Sequence, residues 1–183
     1  SNTTSTTLKN AQACGGGVWC KAGTDHSPST ATDPCPAGYF CIAGIPEACR
    51  AGSYNPNIAQ NAEADCILCT AGYYCLAGAS NLTGECAAGF YCPEASTGPF
   101  TNPCPKRTYR NETKGQSTDS CGTCPPGSYC PVGSSDPVAC PRGFYCVVGV
   151  YNPEPCPIGT FGNSTGLHTP EDCTDCSPGY YCD

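Results

Sequence analysis

The sequence predicts a small disulfide-rich fold, an elongated tandem array of cysteine-rich modules with short β-hairpins, loops and little helix. Three observations predict it. The chain has 20 cysteines among 183 residues, a density typical of disulfide scaffolds. Only 21 residues are Leu, Ile, Val or Phe, and none is Met, so apolar burial alone cannot offset the conformational entropy of folding. Finally, one short motif recurs along the chain.

The recurring motif is C-x-x-G-x-aromatic, and we number its residues from the cysteine as position 1. It occurs ten times at a mean spacing of 18 residues, starting at Cys14, Cys35, Cys49, Cys69, Cys86, Cys104, Cys124, Cys140, Cys156 and Cys176. Seven copies, the closed motifs, have a second cysteine at position 7, as in CPAGYFC at 35–41. The three open motifs, which start at Cys49, Cys104 and Cys156, lack it.

Each part of the motif has a physical role. Glycine at position 4 allows a positive φ and hence a tight turn between the cysteines. Arg107 stands at this position in one open motif, and we expect that turn to differ locally. The aromatic ring at position 6 is expected to lie over a neighbouring disulfide and to supply apolar area. No stretch has sustained helical periodicity, which favours strands and turns.

A longer unit of six cysteines is superimposed on the motif. Its intervening residue counts are 5, then 7 to 11, then 16, 2 and 5, and such a period of about 50 residues predicts an array of similar modules. We therefore divide the chain into a Ser/Thr-rich N-terminal arm (1–13), a partial repeat (14–34), repeat 1 (35–85), repeat 2 (86–139) and an incomplete repeat 3 (140–183).

Composition and charge indicate where the protein acts. Dense cysteines are typical of oxidising, secreted or cell-surface environments. Four sequons predict N-glycosylation at Asn2, Asn81, Asn111 and Asn163. Net charge is −7, and the single basic cluster, Lys106, Arg107 and Arg110, is interpreted as a solvated loop, so we expect no nucleic-acid partner. The longest apolar run, 147–150, is too short to span a membrane.

Candidate catalytic and metal sites are weak. The three C-x2-C pairs recur 52 and 55 residues apart, whereas zinc ribbons space them by about 15–20. His26 and His168 lie in Ser/Thr-rich loops, and the neighbours Asp25-His26-Ser27 cannot form a triad relay. Glu171, Asp172 and Asp175 are more simply a solvated loop than a cation site. We predict a protein that is not an enzyme, without metal or cofactor.

The motifs CPRGFYC (140–146) and CPIGTFG (156–162) carry a family resemblance. The alternation of C-P-x-G-[YF]-[YF]-C with C-P-x-G-T-[YF] resembles the ephrin-receptor-like cysteine-rich repeats of extracellular multidomain proteins, over about residues 14–182. The resemblance implies an extracellular disulfide-bonded array and says little about its task.

The alternation is also similar to tumour necrosis factor receptor and furin-like cysteine-rich regions, and this similarity implies a disulfide pairing. Open motifs would be bonded as Cys49–Cys66, Cys104–Cys121 and Cys156–Cys173. Closed motifs would be bonded crosswise to their neighbours, as Cys14–Cys35, Cys20–Cys41, Cys69–Cys86, Cys75–Cys92, Cys124–Cys140 and Cys130–Cys146. Cys176 and Cys182 then stay unassigned, and there we expect this chain or a neighbour to continue. The alternative closes every C-x5-C pair on itself.

Two functions follow as hypotheses. In the first, the chain is a structural segment of a glycosylated extracellular filament, surface coat or flagellar-hair-like assembly, and its partners are copies of itself or a longer parent chain. In the second, it is the ligand-binding cysteine-rich stalk of a cell-surface receptor, with loop 93–103 and Phe100 in contact with the ligand.

Overall fold

The computed structural model describes residues 14–20, 29–30 and 32–182. These form short strands and three single 3-10 turns. The strands are β1 (Tyr39–Ile42), β2 (Ile45–Ala48), β3 (Ser53–Tyr54), β4 (Ile67–Leu68), β5 (Tyr73–Tyr74), β6 (Gly84–Glu85), β7 (Phe90–Tyr91), β8 (Asn102–Pro103), β9 (Thr108–Tyr109), β10 (Gly122–Thr123), β11 (Ser128–Tyr129), β12 (Val138–Ala139), β13 (Phe144–Tyr145), β14 (Glu154–Pro155), β15 (Thr160–Phe161) and β16 (Thr174–Asp175). The 3-10 turns are η1 (Glu63–Asp65), η2 (Thr118–Ser120) and η3 (Pro170–Asp172).

The strands pair in sequence order as eight two-stranded antiparallel sheets. In every sheet, positions 5 and 6 of one motif pair with the two residues that precede the next motif. Tyr73 lies opposite Glu85 and Tyr74 opposite Gly84, immediately before Cys86. The predicted disulfide-rich fold of short hairpins and loops with little helix is therefore confirmed, and each hairpin connects one motif to the next.

The disulfide pairing corrects part of the prediction. The open motifs are bonded as expected, Cys49–Cys66, Cys104–Cys121 and Cys156–Cys173. The crosswise bonds Cys14–Cys35, Cys20–Cys41, Cys69–Cys86, Cys75–Cys92, Cys124–Cys140 and Cys130–Cys146 are wrong. Each closed motif is bonded to itself, as Cys14–Cys20, Cys35–Cys41, Cys69–Cys75, Cys86–Cys92, Cys124–Cys130, Cys140–Cys146 and Cys176–Cys182.

The reason for the pairing is the turn between the two cysteines of a closed motif. The turn places the Cα atoms of Cys35 and Cys41 5.7 Å apart, well inside the range that a disulfide spans. Cys176 and Cys182, unassigned from the sequence, are bonded in the same manner. In every closed motif, the two cysteines are therefore bonded to each other and need no partner in a neighbouring motif.

Cysteines form most of the buried interior. Among the described residues, the buried apolar side chains are Val18, Phe40 and thirteen cysteines. Large side chains such as Ile45 and Phe100 are 65% exposed. Burial of disulfides thus takes the place of an aliphatic core. Among these residues, no helix is long and apolar enough to cross a membrane.

Position 4 has a positive φ in all ten motifs, from 76° to 89°. Nine of these residues are glycine. Arg107 has φ 79°, so the expectation that its turn would differ is wrong: the backbone keeps the same conformation in spite of the side chain.

The backbone of position 4 explains why this conformation is kept. The Arg107 N–H donates to Cys130 O (2.9 Å), and Arg107 O accepts from Cys124 N–H (2.9 Å). Two further bonds join the same neighbouring motifs, from Gly133 N–H to Cys104 O (2.8 Å) and from Arg110 N–H to Ser134 O (3.1 Å). The same four bonds join six pairs of consecutive motifs in the described chain, those that start at Cys35/Cys49, Cys49/Cys69, Cys86/Cys104, Cys104/Cys124, Cys124/Cys140 and Cys140/Cys156.

A second set of positive-φ residues was not predicted. It lies three or four residues after position 7 and comprises Gly44, Ala59, Gly78, Ala95, Lys114, Gly133, Gly149 and Gly166. Seven of them donate an N–H to the first cysteine of the preceding motif, as Gly78 does to Cys49 O (2.9 Å). After a closing cysteine the sequence reads C-x-x-G or C-x-x-A. This pattern is the sequence feature from which the turns after the closed motifs could have been predicted.

Position 7 of the open motifs holds Asn55, Arg110 and Gly162 in place of a cysteine. Asn55 is fully buried, and its Oδ1 accepts from Asn57 N–H (3.1 Å). Arg110 donates from Nη1 to Ser120 O (2.9 Å) and from Nη2 to Thr113 O (2.7 Å). In two of the three open motifs, a polar side chain therefore hydrogen-bonds to the backbone at the position where a closed motif has its second cysteine.

The described residues divide into two compact units. One contains 14–85 together with Pro93–Gly98, and the other contains Cys86–Cys92 together with 99–182. The repeats proposed at 35–85, 86–139 and 140–183, and the partial repeat at 14–34, stay predictions; the arm at 1–13 lies outside the described residues. The observed hydrogen-bond pattern repeats with each motif of about 18 residues.

Position 4 also packs against backbone further along the chain, which permits a matched test. A Cβ on Gly52 would lie 3.0 Å from the carbonyl carbon of Ala95, whereas one on Gly159 would meet no atom within 4 Å. Both are position 4 of open motifs with positive φ. We expect Gly159→Ala to cost about 1–2 kcal/mol for its φ, and Gly52→Ala about 1–3 kcal/mol more from overpacking. Denaturant unfolding with intact disulfides measures both; equal losses would contradict the packing.

The disulfide pairing is testable by mass spectrometry of peptides from unreduced protein. Cleavage within the 42–48 hairpin and ahead of Cys35 should release one peptide that contains Cys35 and Cys41 linked to each other. A bond between this peptide and one that contains Cys14 or Cys20 would restore the crosswise pairing.

Candidate functional site

Three of the four predicted glycosylation sites lie within the described residues. Asn81, Asn111 and Asn163 are all exposed. Asn111 and Asn163 follow position 7 of their open motifs, so they occupy equivalent places, and the first open motif has Pro56 there. Asn2 lies outside the described residues. Glycosylation of the three described sites stays a prediction that their exposure permits.

The candidate catalytic residues do not converge. His168 is exposed, and its contact with Asp172 is made by its backbone N–H. His26 and its neighbours Asp25 and Ser27 lie outside the described residues. Throughout the part of the chain that the structure describes, all cysteines are in disulfides, and no group of three His, Cys, Asp or Glu side chains could hold a metal.

In each of the three 3-10 turns, the side chain of the last residue accepts hydrogen bonds from the two backbone N–H groups just ahead of the turn and so forms a cap. Asp172 Oδ2 accepts from the N–H groups of His168 (2.7 Å) and Thr169 (3.0 Å). Asp65 Oδ2 and Ser120 Oγ accept from the corresponding pairs, Asn61 with Ala62 and Gln116 with Ser117. The N–H donors of His168 and Thr169 lower the pKa of Asp172. Asp172 therefore has a structural partner, which weakens a cation-binding interpretation.

Tyr145 and Glu154 form a polar contact across the β13–β14 hairpin. The Tyr145 hydroxyl donates to Glu154 Oε2 (2.9 Å). This hydrogen bond is the main cause that raises the pKa of Tyr145, and burial and the charges of Glu154 and Glu171 add to it. Because its pKa is raised, the tyrosine stays neutral, and its hydrogen bond to Glu154 joins the two strands of the hairpin.

One shallow cleft of about 540 Å³ lies in the first unit. Its lining includes Arg50, Glu63, Leu68 and Ala95. Arg50 Nε and Glu63 Oε1 are 2.6 Å apart, and both side chains are largely exposed. A cation already paired with its own carboxylate offers little to an anionic ligand, so we assign no site here.

Exposed aromatic rings are a second candidate. Phe100, expected in the ligand-contacting loop, is 65% exposed. Its ring meets the Phe90 ring edge to face, with centroids 5.1 Å apart, which fixes its orientation. The Phe100 ring is therefore available for contact with another molecule.

The third candidate is the basic segment at Lys106. Lys106 Nζ lies 4.6 Å from the ring centroid of Tyr151, and Arg107 Cζ lies 5.9 Å from it. Arg110 is turned inward, with its side chain 16% exposed. Sequence reasoning identified this cluster as a solvated loop and could not foresee Tyr151, which lies 44 residues after Arg107.

Comparison of the sequence with models of known protein families found no match, and comparison with curated proteins found none either. The resemblance to ephrin-receptor-like repeats therefore stays a prediction from the motif.

The cap at Asp172 predicts a pH dependence. Because its pKa is lowered in the folded state, the carboxylate stabilises the fold above its unfolded pKa, and this contribution is lost as pH falls through the folded pKa. Asp172→Ser imitates the cap at Ser120 without a charge. We expect its melting temperature to fall less than that of wild type between neutral pH and about pH 2. An identical fall in both proteins would show that the cap makes no titratable contribution.

Proposed function

We propose that this chain is a structural segment of a secreted, glycosylated extracellular assembly, such as a filament, a surface coat or a flagellar-hair-like structure. The observation that carries the proposal is the repeated set of four backbone hydrogen bonds between consecutive motifs. A fold built by repetition of one joint provides mechanical continuity and has no need of a reaction site.

The covalent organisation supports this role. Ten disulfides join residues only 6 or 17 positions apart, so a local break in the backbone leaves the other modules intact. Each bond is expected to contribute about 2–4 kcal/mol, less for the shortest loops. Both properties suit a protein exposed to proteases and to mechanical load, in which catalysis has no part.

Glycans would complete the surface. Asn111 and Asn163 stand at the same place in two open motifs and are exposed. Occupied sites would hydrate the chain at regular intervals, and the exposed aliphatic side chains between them would be left for contacts with copies of the chain or of its parent.

The second candidate function is a receptor stalk that binds a protein ligand. The observation that favours it is Phe100, an exposed ring held in place by Phe90. Exposed, pre-oriented aromatic rings are common anchors of protein interfaces. In this case the array would act as a spacer and Phe100 as a contact residue.

Electron microscopy of the native, full-length protein distinguishes the two functions. We expect regular fibres or sheets in which this segment repeats, and we expect antibodies against residues 147–155 to decorate them at a constant interval. Sedimentation of the same material at several concentrations supplies the control. Monodisperse particles at all concentrations that bind a soluble protein, with binding lost in Phe100→Ala, would replace the first proposal by the second.

A further inference from the structure

One residue departs from the rule that the rest of the array follows. Nine of ten position-4 residues are glycine, and Arg107 has the same positive φ, 79°. A residue with a Cβ pays about 1–2 kcal/mol for such a conformation. The backbone hydrogen bonds of Arg107 hold this conformation in spite of its cost, and the guanidinium group is the feature that sets this motif apart from the other nine.

The surroundings of Arg107 are unusual for this acidic chain. Lys106 Nζ and Arg107 Cζ both lie within 6 Å of the Tyr151 ring centroid, and both residues are exposed. Within residues 32–182, neither forms an ion pair with a carboxylate. Two adjacent cations without a counter-charge, in a protein of net charge −7, are an unsatisfied electrostatic feature.

The ring explains how the two cations are held together. Cation–π contacts attract each charged group to Tyr151 and limit the side chains' freedom, although two like charges repel each other. The other open motifs have Ala51-Gly52 and Ile158-Gly159 at the corresponding positions. Among the three open motifs, the pair of cations therefore occurs once, and it is not a consequence of the repeat.

We propose that Lys106, Arg107 and Tyr151 form a binding site for an acidic saccharide, a sugar unit that carries a sulfate or carboxylate group. Arginine offers a planar fork that suits an oxyanion, and lysine adds a point charge. Tyr151, 43% exposed, provides an apolar ring surface against which a sugar can pack. A site of two cations is too small for nucleic acid, which needs a broad basic face.

The acidic remainder of the chain makes this proposal specific. Because net charge is negative, the protein as a whole does not attract a polyanion. We therefore expect attraction to come from this pair of cations, so that binding depends on Lys106 and Arg107 more than on other basic residues such as Arg142. The site goes beyond the proposed assembly and does not depend on it, since a monomer would bind as well as a fibre.

The test is equilibrium binding of a sulfated dextran oligosaccharide to the native glycosylated protein, by calorimetry at low salt. The neutral dextran oligosaccharide of equal length and an oligogalacturonate are the comparison probes. We expect the sulfated and carboxylated probes to bind, the neutral one not to bind, and affinity to fall as salt rises.

Variants separate binding from folding. Arg107→Gln and Lys106→Gln should each weaken binding about tenfold, whereas Arg142→Gln, an equal loss of charge at an exposed residue, should leave it within about twofold. Arg107→Gly should weaken binding by the same factor as Arg107→Gln while the melting temperature is unchanged or higher, because glycine relieves the positive φ.

Three results would overturn the proposal. If Arg107→Gly bound the sulfated probe as tightly as wild type, Arg107 would not form a binding site. If Arg142→Gln lost as much affinity as Arg107→Gln, binding would be a general effect of charge. Tighter binding of an acidic peptide, poly-glutamate, with the same dependence on Arg107 would assign the site to a protein partner in place of a saccharide. None of these results depends on whether fibres form.

Discussion

The backbone at position 4 of the motif is the constraint on which the rest of the structure depends. Its positive φ lets one residue donate its N–H and accept at its C=O within the same neighbouring motif. The same turn brings the two cysteines of a closed motif into bonding distance and starts the strand that pairs ahead of the next motif. Turn, disulfide and hairpin are therefore three results of one backbone conformation.

The two kinds of disulfide have different tasks. Bonds within closed motifs join cysteines 6 positions apart and hold the turn between them. Because they close such short loops, they restrict the unfolded chain less than the bonds of the open motifs do. Bonds of the open motifs span 17 residues and enclose a 3-10 turn with its cap. In two of the three open motifs, the polar side chains of Asn55 and Arg110 hydrogen-bond to the backbone at the place of the closing cysteine, whereas the third has Gly162 there.

The sequence allowed the motif register and the glycine turns to be predicted, because spacing and residue type state them directly, whereas the bonds of the open motifs were predicted by analogy with known cysteine-rich regions. It left the bonds of the closed motifs undecided, since crosswise and internal pairing use the same cysteines, and the choice by analogy was wrong. The second set of turns was not predicted because three of its eight positions hold Ala59, Ala95 and Lys114 in place of glycine, so no regular glycine pattern marks them. The contact of Arg107 with Tyr151 joins residues too distant in sequence for any pattern to reveal.

The repeated joint has a consequence for size. In a protein with one core, stability rises with length because the ratio of volume to surface improves, until the core can grow no further. Here seven of the ten motifs contain buried cysteines, and the same four hydrogen bonds join six pairs of consecutive motifs in the described chain. Stability should then grow by equal steps with the number of motifs, and evolution can lengthen or shorten such a chain by whole motifs without a new packing problem.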